Sequence, residues 1–170
     1  MQESVFLKVK KLDPRAKIPS KRSEDAGYDL YALYDKEYVI LRPQEIWLAP
    51  TGLSTEFPKN WVFLLFERSS VGSKGIARRC GVIDSGYRGE IKVALQNTSS
   101  RNVIFISNST SQEKVLEKEN LKEADVLFYP QEKAIAQAIL LYAPHVDIEE
   151  VDELSGDSQR QEGGFGSTNL

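Results

Sequence analysis

The stretch ERSSVGSKG, Glu67 to Gly75, sets Arg68, two adjacent hydroxyls (Ser69 and Ser70) and small residues directly after an apolar run. Serines at the start of a short helical turn offer hydroxyl and backbone N–H donors together, which suits phosphate oxygens. The same residues also make an ordinary serine-capped turn. CGVIDSGYRGE, Cys80 to Glu90, places Asp84 at a turn with Tyr87 close by. A carboxylate held there can accept a proton from water, and an aromatic ring can pack flat against a sugar or base. The alternative is a turn-forming aspartate and an edge-strand tyrosine. In AGYDL, Asp29 opens a strand, either as a carboxylate that holds a metal through water or as a strand-end cap. In KAIAQA, Gln137 interrupts an apolar run. A buried amide must find partners, so it satisfies a backbone group or faces a polar site. The ending RQEGGFGSTN, Arg160 to Asn169, is a solvated tail or a flap that orders on a ligand.

These residues need a frame, and the frame reads as β-structure. VFLKVKKL alternates as a half-buried strand does. YDLYAL, EYVIL, EIWLAP, WVFLLFE, EIKVALQN, NVIFIS and AIAQAILLY follow, and most are separated by proline or glycine turns such as RPQ, PTG and FPKN. Many short strands with close turn signals predict an all-β sandwich, jelly roll or barrel. The DSG turn between two β-like runs predicts a hairpin. One segment differs. TSQEKVLEKENLKEADVLFYPQE is charged, and Leu116, Leu121, Ala124 and Leu127 recur at mixed helical steps. It predicts a short helix or an irregular insertion.

Composition narrows the functions. With 170 residues, 41 % of them hydrophobic, the chain can bury one real core. Its net charge is -3, so no basic domain points to nucleic acid, although a few focused cations suffice for a phosphate-binding enzyme. The lone cysteine, Cys80, cannot form an internal disulfide, which fits a reducing cytoplasm, and it is expected as a small buried hydrophobe. The only histidine is His145, so no cysteine–histidine cluster offers a zinc site. The N-terminus lacks the apolar run of a signal peptide, and runs such as WVFLLF are too short to span a bilayer.

Taken in order, AGYDL, RSSVG, GVIDSGYRGE, KAIAQ and GGFGST resemble the trimeric dUTP diphosphatase (dUTPase) family. The resemblance covers most of the chain, and GVIDSGYRGE with GGFGST is its most specific part. It implies an all-β, jelly-roll-like subunit in a homotrimer whose sites draw on three chains, and hydrolysis of dUTP to dUMP and pyrophosphate with Mg²⁺ as cofactor. It also implies two regions: a β-domain over 1–154, with an insertion at about 108–131, and a glycine-rich C-terminal lid over 155–170.

The resemblance carries roles as well. Asp84 corresponds to the general base that deprotonates water for attack on the α-phosphorus. Tyr87 corresponds to the ring beneath deoxyribose that leaves no room for a 2′-hydroxyl. The segment Gly81 to Ile91, including Ile83 and Glu90, would read uracil through backbone groups. Ser69 corresponds to the donor to the bridging oxygen, with Ser70 and Gly72 nearby through their amides and Arg68 mainly structural. Asp29 and Gln137 would hold waters on a Mg²⁺ ligated by the three phosphates, with no direct protein ligand. In the lid, Phe165 would stack over uracil, while Arg160, Ser167 and Thr168, beside Gly166, would reach the terminal phosphates.

Three positions depart from the family pattern. Lys133 stands where arginine is usual, Gln161 where glycine follows the lid arginine, and Asn169 where glycine often follows the threonine. The long stretch from Asn97 to Lys133 resembles staphylococcal phage dUTPases, a group that binds repressors of mobile pathogenicity islands. That implies a repressor partner, with Leu127, Phe128 and Tyr129 as docking anchors, set against a solvated surface excursion. A nucleotide-controlled switch protein is the main alternative function. A dCTP deaminase-type enzyme is a further one, disfavoured because that class needs a glutamate base where GVIDSGYRGE spells the diphosphatase version.

Overall fold

Turn chemistry and β-branched runs partition the chain into short strands. The computed structural model describes residues 5–158. The strands are β1 (Lys8–Lys11), β2 (Tyr28–Leu30), β3 (Tyr38–Leu41), β4 (Ile46–Pro50), β5 (Leu53–Glu56), β6 (Trp61–Phe66), β7 (Ile76–Arg79), β8 (Val82–Asp84), β9 (Lys92–Asn97), β10 (Asn102–Ile106), β11 (Val126–Pro130) and β12 (Ala136–Tyr142). Among the described residues, two α-helices, α1 (Ser69–Gly72) and α2 (Gln112–Glu119), and a 3-10 turn (Glu123–Asp125) interrupt them. The all-β, jelly-roll-like expectation holds.

The strands form four small sheets. β2–β12–β6–β8 is the one that carries the site, and β4–β9–β7, β11–β10–β3 and β1–β5 close around it. One core is shared by all four. Leu30, Phe63, Val93, Val103 and Ala136 each contribute from a different strand and are 0 % exposed. β6 shows why the sheets need each other. Its WVFLLF run sends Phe63 and Leu65 inward, while β12 and β8 flank it on either side.

Two expectations are corrected here. The DSG turn does not close a hairpin. β8 pairs with β6, whereas β9 pairs with β4 and β7. The turn therefore carries the chain from one sheet to another. Cys80 is exposed rather than buried: it follows the last residue of β7, in the turn to β8, at a backbone φ of 58°.

The charged insertion is ordered. Ser111 caps α2, its hydroxyl accepting from the Lys114 N–H at 3.2 Å, and Asn120 ends it in the left-handed conformation. Only Val115 of α2 is fully buried. It packs with Ile104, Ile106 and Val126 into a second small core on the outer face of the β3–β10–β11 sheet. Lys114 fixes the helix to Glu37 at 2.8 Å. β11 then runs parallel to β10. Leu127 to Tyr129 lie in strand β11 rather than in a solvated excursion. Tyr129 is 2 % exposed, Leu127 packs on the main core, and Phe128 packs on the second one. Tyr129 is spent on the core, while Leu127 and Phe128 are half-buried. The charge of the segment hid this strand, because α2 and the sheet share only a narrow apolar contact.

Candidate active site

β2, β6 and β12 lie side by side, and their register brings three separate sequence stretches together. Gln137 sits opposite Asp29 across β12–β2 and opposite Phe66 across β12–β6. Glu67, Arg68 and α1 follow directly from Phe66. Arg68 Nε approaches Asp29 Oδ1 at 2.9 Å, and its Nη1 lies 3.5 Å from the Ala134 carbonyl. Arg68 thus ties β2 to the chain entering β12, which fits its structural reading. The Gln137 amide does both things open to it: Nε2 donates to the Glu67 carbonyl at 2.8 Å, and the side chain lines the cleft. A Cβ at position 27 would stand 2.5 Å from Gln137 Oε1, so Gly27 makes room for that amide.

Asp29, Arg68, Ser69, Ser70 and Gln137 share the wall of an open cleft of about 980 Å³. Ser69 and Ser70 are exposed at its edge. The N–H groups of Val71 and Gly72 already donate to the Arg68 carbonyl at 2.9 Å. The Gly72 amide is therefore used within the turn, and the Ser69 and Ser70 hydroxyls stand at the edge of the cleft. Among the described residues, no cluster of three histidine, cysteine or acidic side chains could hold a metal directly. What the cleft does offer is oxygen acceptors: the Asp29 carboxylate and the Gln137 amide oxygen. That donor set suits the waters around a hard cation whose inner ligands come from elsewhere.

A second cleft, of about 320 Å³, is lined by Val82, Ile83, Asp84, Tyr87, Glu90 and Lys92. Asp84 ends β8 opposite Val62, and the Tyr87 N–H returns to its carbonyl at 3.0 Å. The Tyr87 hydroxyl donates to the Glu90 carbonyl at 2.9 Å, so its ring lies across Gly89 and is still 44 % exposed. Glu90 is tethered, its Oε1 accepting from the Gly52 N–H at 2.9 Å. Ile91 lies in the core, 1 % exposed. Its N–H donates to Leu53 at 2.8 Å, and its carbonyl accepts from the Thr51 hydroxyl at 2.7 Å. With both backbone groups engaged, Ile91 supports this segment from the core. Gly81 belongs to the turn before β8, where its carbonyl accepts from the Leu65 N–H at 2.8 Å.

The two clefts share no residue of their walls. β6 measures the gap: Asp84 pairs at Val62 and Gln137 at Phe66, four residues apart, or about 13 Å at strand rise. Sequence reading missed Lys21, Arg22 and Asp25, which line the first cleft, and Glu67, which holds Gln137. The only sign of the former is the charge density of SKRSED before AGYDL. Arg160, Phe165, Gly166, Ser167 and Thr168 lie outside the described residues, as do Gln161 and Asn169. Lys133 is exposed, and its N–H donates to Pro130 at 3.1 Å.

A jelly-roll-like subunit with a phosphate-suited cleft and a separate carboxylate–tyrosine cleft defines a class of nucleotide-acting enzymes. A protein-family model described as dUTPase matches residues 14–110. The deoxyuridine 5'-triphosphate nucleotidohydrolase of Nautilia profundicola is 36 % identical over 166 residues, covering 95 % of this chain and 97 % of that protein. The chain belongs to the dUTPase family. Among solved structures, a G164S mutant of the Staphylococcus bacteriophage 80alpha dUTPase with dUpNHpp superposes at a TM-score of 0.74, with 26 % identity, covering 97 % of this chain and 99 % of that one. A variant of that phage dUTPase belongs to work linking enzymatic activity to SaPI-inducing capacity. The dUTPase of phage phi11, with its species-specific insert, shares the fold at a TM-score of 0.67 and 23 % identity, covering 89 % of this chain and 99 % of that one.

Proposed function

We propose that this chain hydrolyses dUTP to dUMP and pyrophosphate by attack of water on the α-phosphorus, in a Mg²⁺-dependent reaction, with each site completed between copies of the chain. One observation carries the assembly. The Asp84 cleft and the Ser69 cleft of one chain share no wall residue, and Asp84 and Gln137 pair with β6 four residues apart. A homotrimer brings the Asp84 side of one copy to the Ser69 side of another, and a third copy supplies the lid.

Asp84 takes the proton of the attacking water. Tyr87, braced by its hydrogen bond to Glu90, fills the space a 2′-hydroxyl would need. Backbone groups from Gly81 through Ile83 read uracil. Ser69 and Ser70 bind phosphate oxygens as charge develops there. Asp29 and Gln137 would hold Mg²⁺ through its waters. When bound by the triphosphate, that ion supplies charge neutralisation on the phosphates. Residues 1–154 form the catalytic β-domain, and 155–170 the lid that excludes bulk water, with Phe165 on the base and Arg160, Ser167 and Thr168 on the outer phosphates. The reaction belongs in the cytoplasm, where dUTP arises.

A second role rests on α2. The helix presents an exposed charged face outside the sheet and is not needed to shape either cleft. With the SaPI-inducing capacity described for the phage relative, it supports repressor binding under nucleotide control. Pyrophosphate release from dUTP, UTP, dCTP and dTTP with Mg²⁺ tests the main proposal. Strong preference for dUTP supports it, and preference for dCTP or for ribose overturns it. Capture of a pathogenicity-island repressor with and without dUTP tests the second.

A further inference from the structure

Arg78 stands between the two clefts and belongs to neither. Its backbone N–H donates to Glu67 Oε1 at 3.2 Å, and its Nε lies 3.8 Å from Glu67 Oε2. Its Nη1 donates to the Cys80 carbonyl oxygen. The side chain is 22 % exposed. Glu67 is itself part of the phosphate side, since its carbonyl receives the Gln137 amide at 2.8 Å. Cys80, at φ 58°, holds a left-handed conformation that a residue with a side chain adopts reluctantly. Its own side chain is exposed. A Cβ at position 81 would meet Arg78 Nη1 and stand 3.1 Å from the Leu65 carbonyl oxygen, so Arg78 packs directly over Gly81.

We infer that Arg78 is a positioning residue for this reaction: it locks the Cys80–Gly81 peptide, where the base-reading segment begins, to Glu67 at the end of the phosphate cleft. The inference rests on the assignment of Gly81 and the residues after it to the base. The guanidinium donates to the Cys80 carbonyl through Nη1 and faces the Glu67 carboxylate as an ion pair, its Nε making no hydrogen bond there, and a charged donor strengthens the bond to the carbonyl. Without it, the strained peptide at Cys80 relaxes toward more ordinary conformations. Asp84 is secured independently by the β8–β6 register. Loss of Arg78 therefore loosens substrate reading and leaves the proton-accepting carboxylate in place.

The test is steady-state kinetics of the full-length chain with dUTP and dCTP, for Arg78→Ala, Cys80→Gly and the double variant. Arg78→Ala should raise KM for dUTP about tenfold, the factor that a left-handed side-chain-bearing residue forfeits when its hold is removed. It should change kcat little and narrow the preference for dUTP over dCTP. Cys80→Gly alone should stay near the parent. The double variant should recover most of the lost KM and selectivity, because glycine takes the left-handed conformation without a clamp. A residue that merely stabilised the fold would lower the melting temperature without moving the base preference, and glycine at 80 would not rescue it. Unchanged KM and selectivity in Arg78→Ala, or a double variant no better than the single one, overturns the inference. Should Arg78→Ala not fold, Arg78→Lys is read in the same way, since one ammonium cannot span both partners. Asp84→Asn in the same assay separates the failures. If it remains active, the site assignment fails; if it is inactive while the Arg78 variants match the parent, only the positioning role fails.

Discussion

Asp29→Asn removes one charge from the cleft and leaves its shape intact. The Asp29–Arg68 pair spans 2.9 Å, with side chains 29 % and 31 % exposed. At about 4 Å between charge centres and an effective dielectric of about 20, the attraction is about 4 kcal/mol. Partial exposure screens it, and pairs so placed contribute nearer ~1 kcal/mol. The asparagine oxygen can still accept from Arg68, which keeps only long contacts otherwise, to Ala134 at 3.5 Å and Ser70 at 3.4 Å. A loss of that size lowers Tm by about 2–4 °C in a domain of this length. The functional effect should be larger. An outer partner of a bound metal typically contributes about 10–100-fold to its affinity, so the Mg²⁺ concentration for half-maximal hydrolysis of dUTP should rise by about tenfold or more. Differential scanning fluorimetry and a Mg²⁺ titration at saturating dUTP measure the two effects. An unaltered Mg²⁺ response would remove Asp29 from the metal's surroundings, and an unaltered Tm would show that its bond to Arg68 stabilises nothing.

Asp84→Asn should lower kcat by ~10²–10⁴-fold while dUTP binding persists, because the amide keeps the shape but cannot take the proton; near-parental turnover refutes the role. Truncation after Ser158 should reduce kcat sharply and leave the nucleotide-free Tm almost unmoved, since the removed residues are polar and glycine-rich; full activity would make this segment dispensable. Replacing residues 108–131 by a short Gly-Ser turn should lower Tm severely, because it strips Val126 and Tyr129 from their buried positions and uncovers Ile104 and Ile106. Each such side chain is worth about 1.5–3 kcal/mol of burial, and a parent-like melting curve would refute the structural role of β11. Lys114 holds the Glu37 carboxyl below its ordinary range. The anchoring of α2 is thus fully present above that ordinary range and is lost as pH falls through the lower folded value. Amide exchange in 112–119 should accelerate below about pH 4 while β9 stays protected.

The strand-forming runs from KVKK to AQAILLY were legible because apolar and β-branched residues recur between clear turn signals. β5 was not, since LSTE is half polar. Ser54 is nevertheless buried, because its hydroxyl finds the Arg88 carbonyl at 2.7 Å. β11 was hidden for a different reason: its neighbours in sequence are charged, while its neighbours in space are β10 and the core. The site residues were legible as spellings, and most of them stand in the two clefts. Nothing local shows that the Gly72 amide is consumed by its own turn, that Ile91 is sealed in the core, or that Cys80 is exposed. Those facts depend on which strand lies opposite. The hairpin expected at DSG failed on the same ground, because sequence adjacency of two strands does not dictate that they pair.

The parallel pairing of β10 and β11 has a consequence for ancestry. The Gln131 N–H donates to the Ile106 carbonyl at 2.9 Å, so the chain departs for α2 and returns at almost the same point in space. Entry and exit of the whole excursion are neighbours, as at the two ends of a splice. Material can be gained or exchanged between them without displacing the strand that carries Gln137, provided the newcomer covers the same apolar face. Divergence in this segment and constancy of the catalytic frame are therefore mechanically compatible, and lineages can rewrite what the protein shows to its surroundings while the chemistry stays where it was.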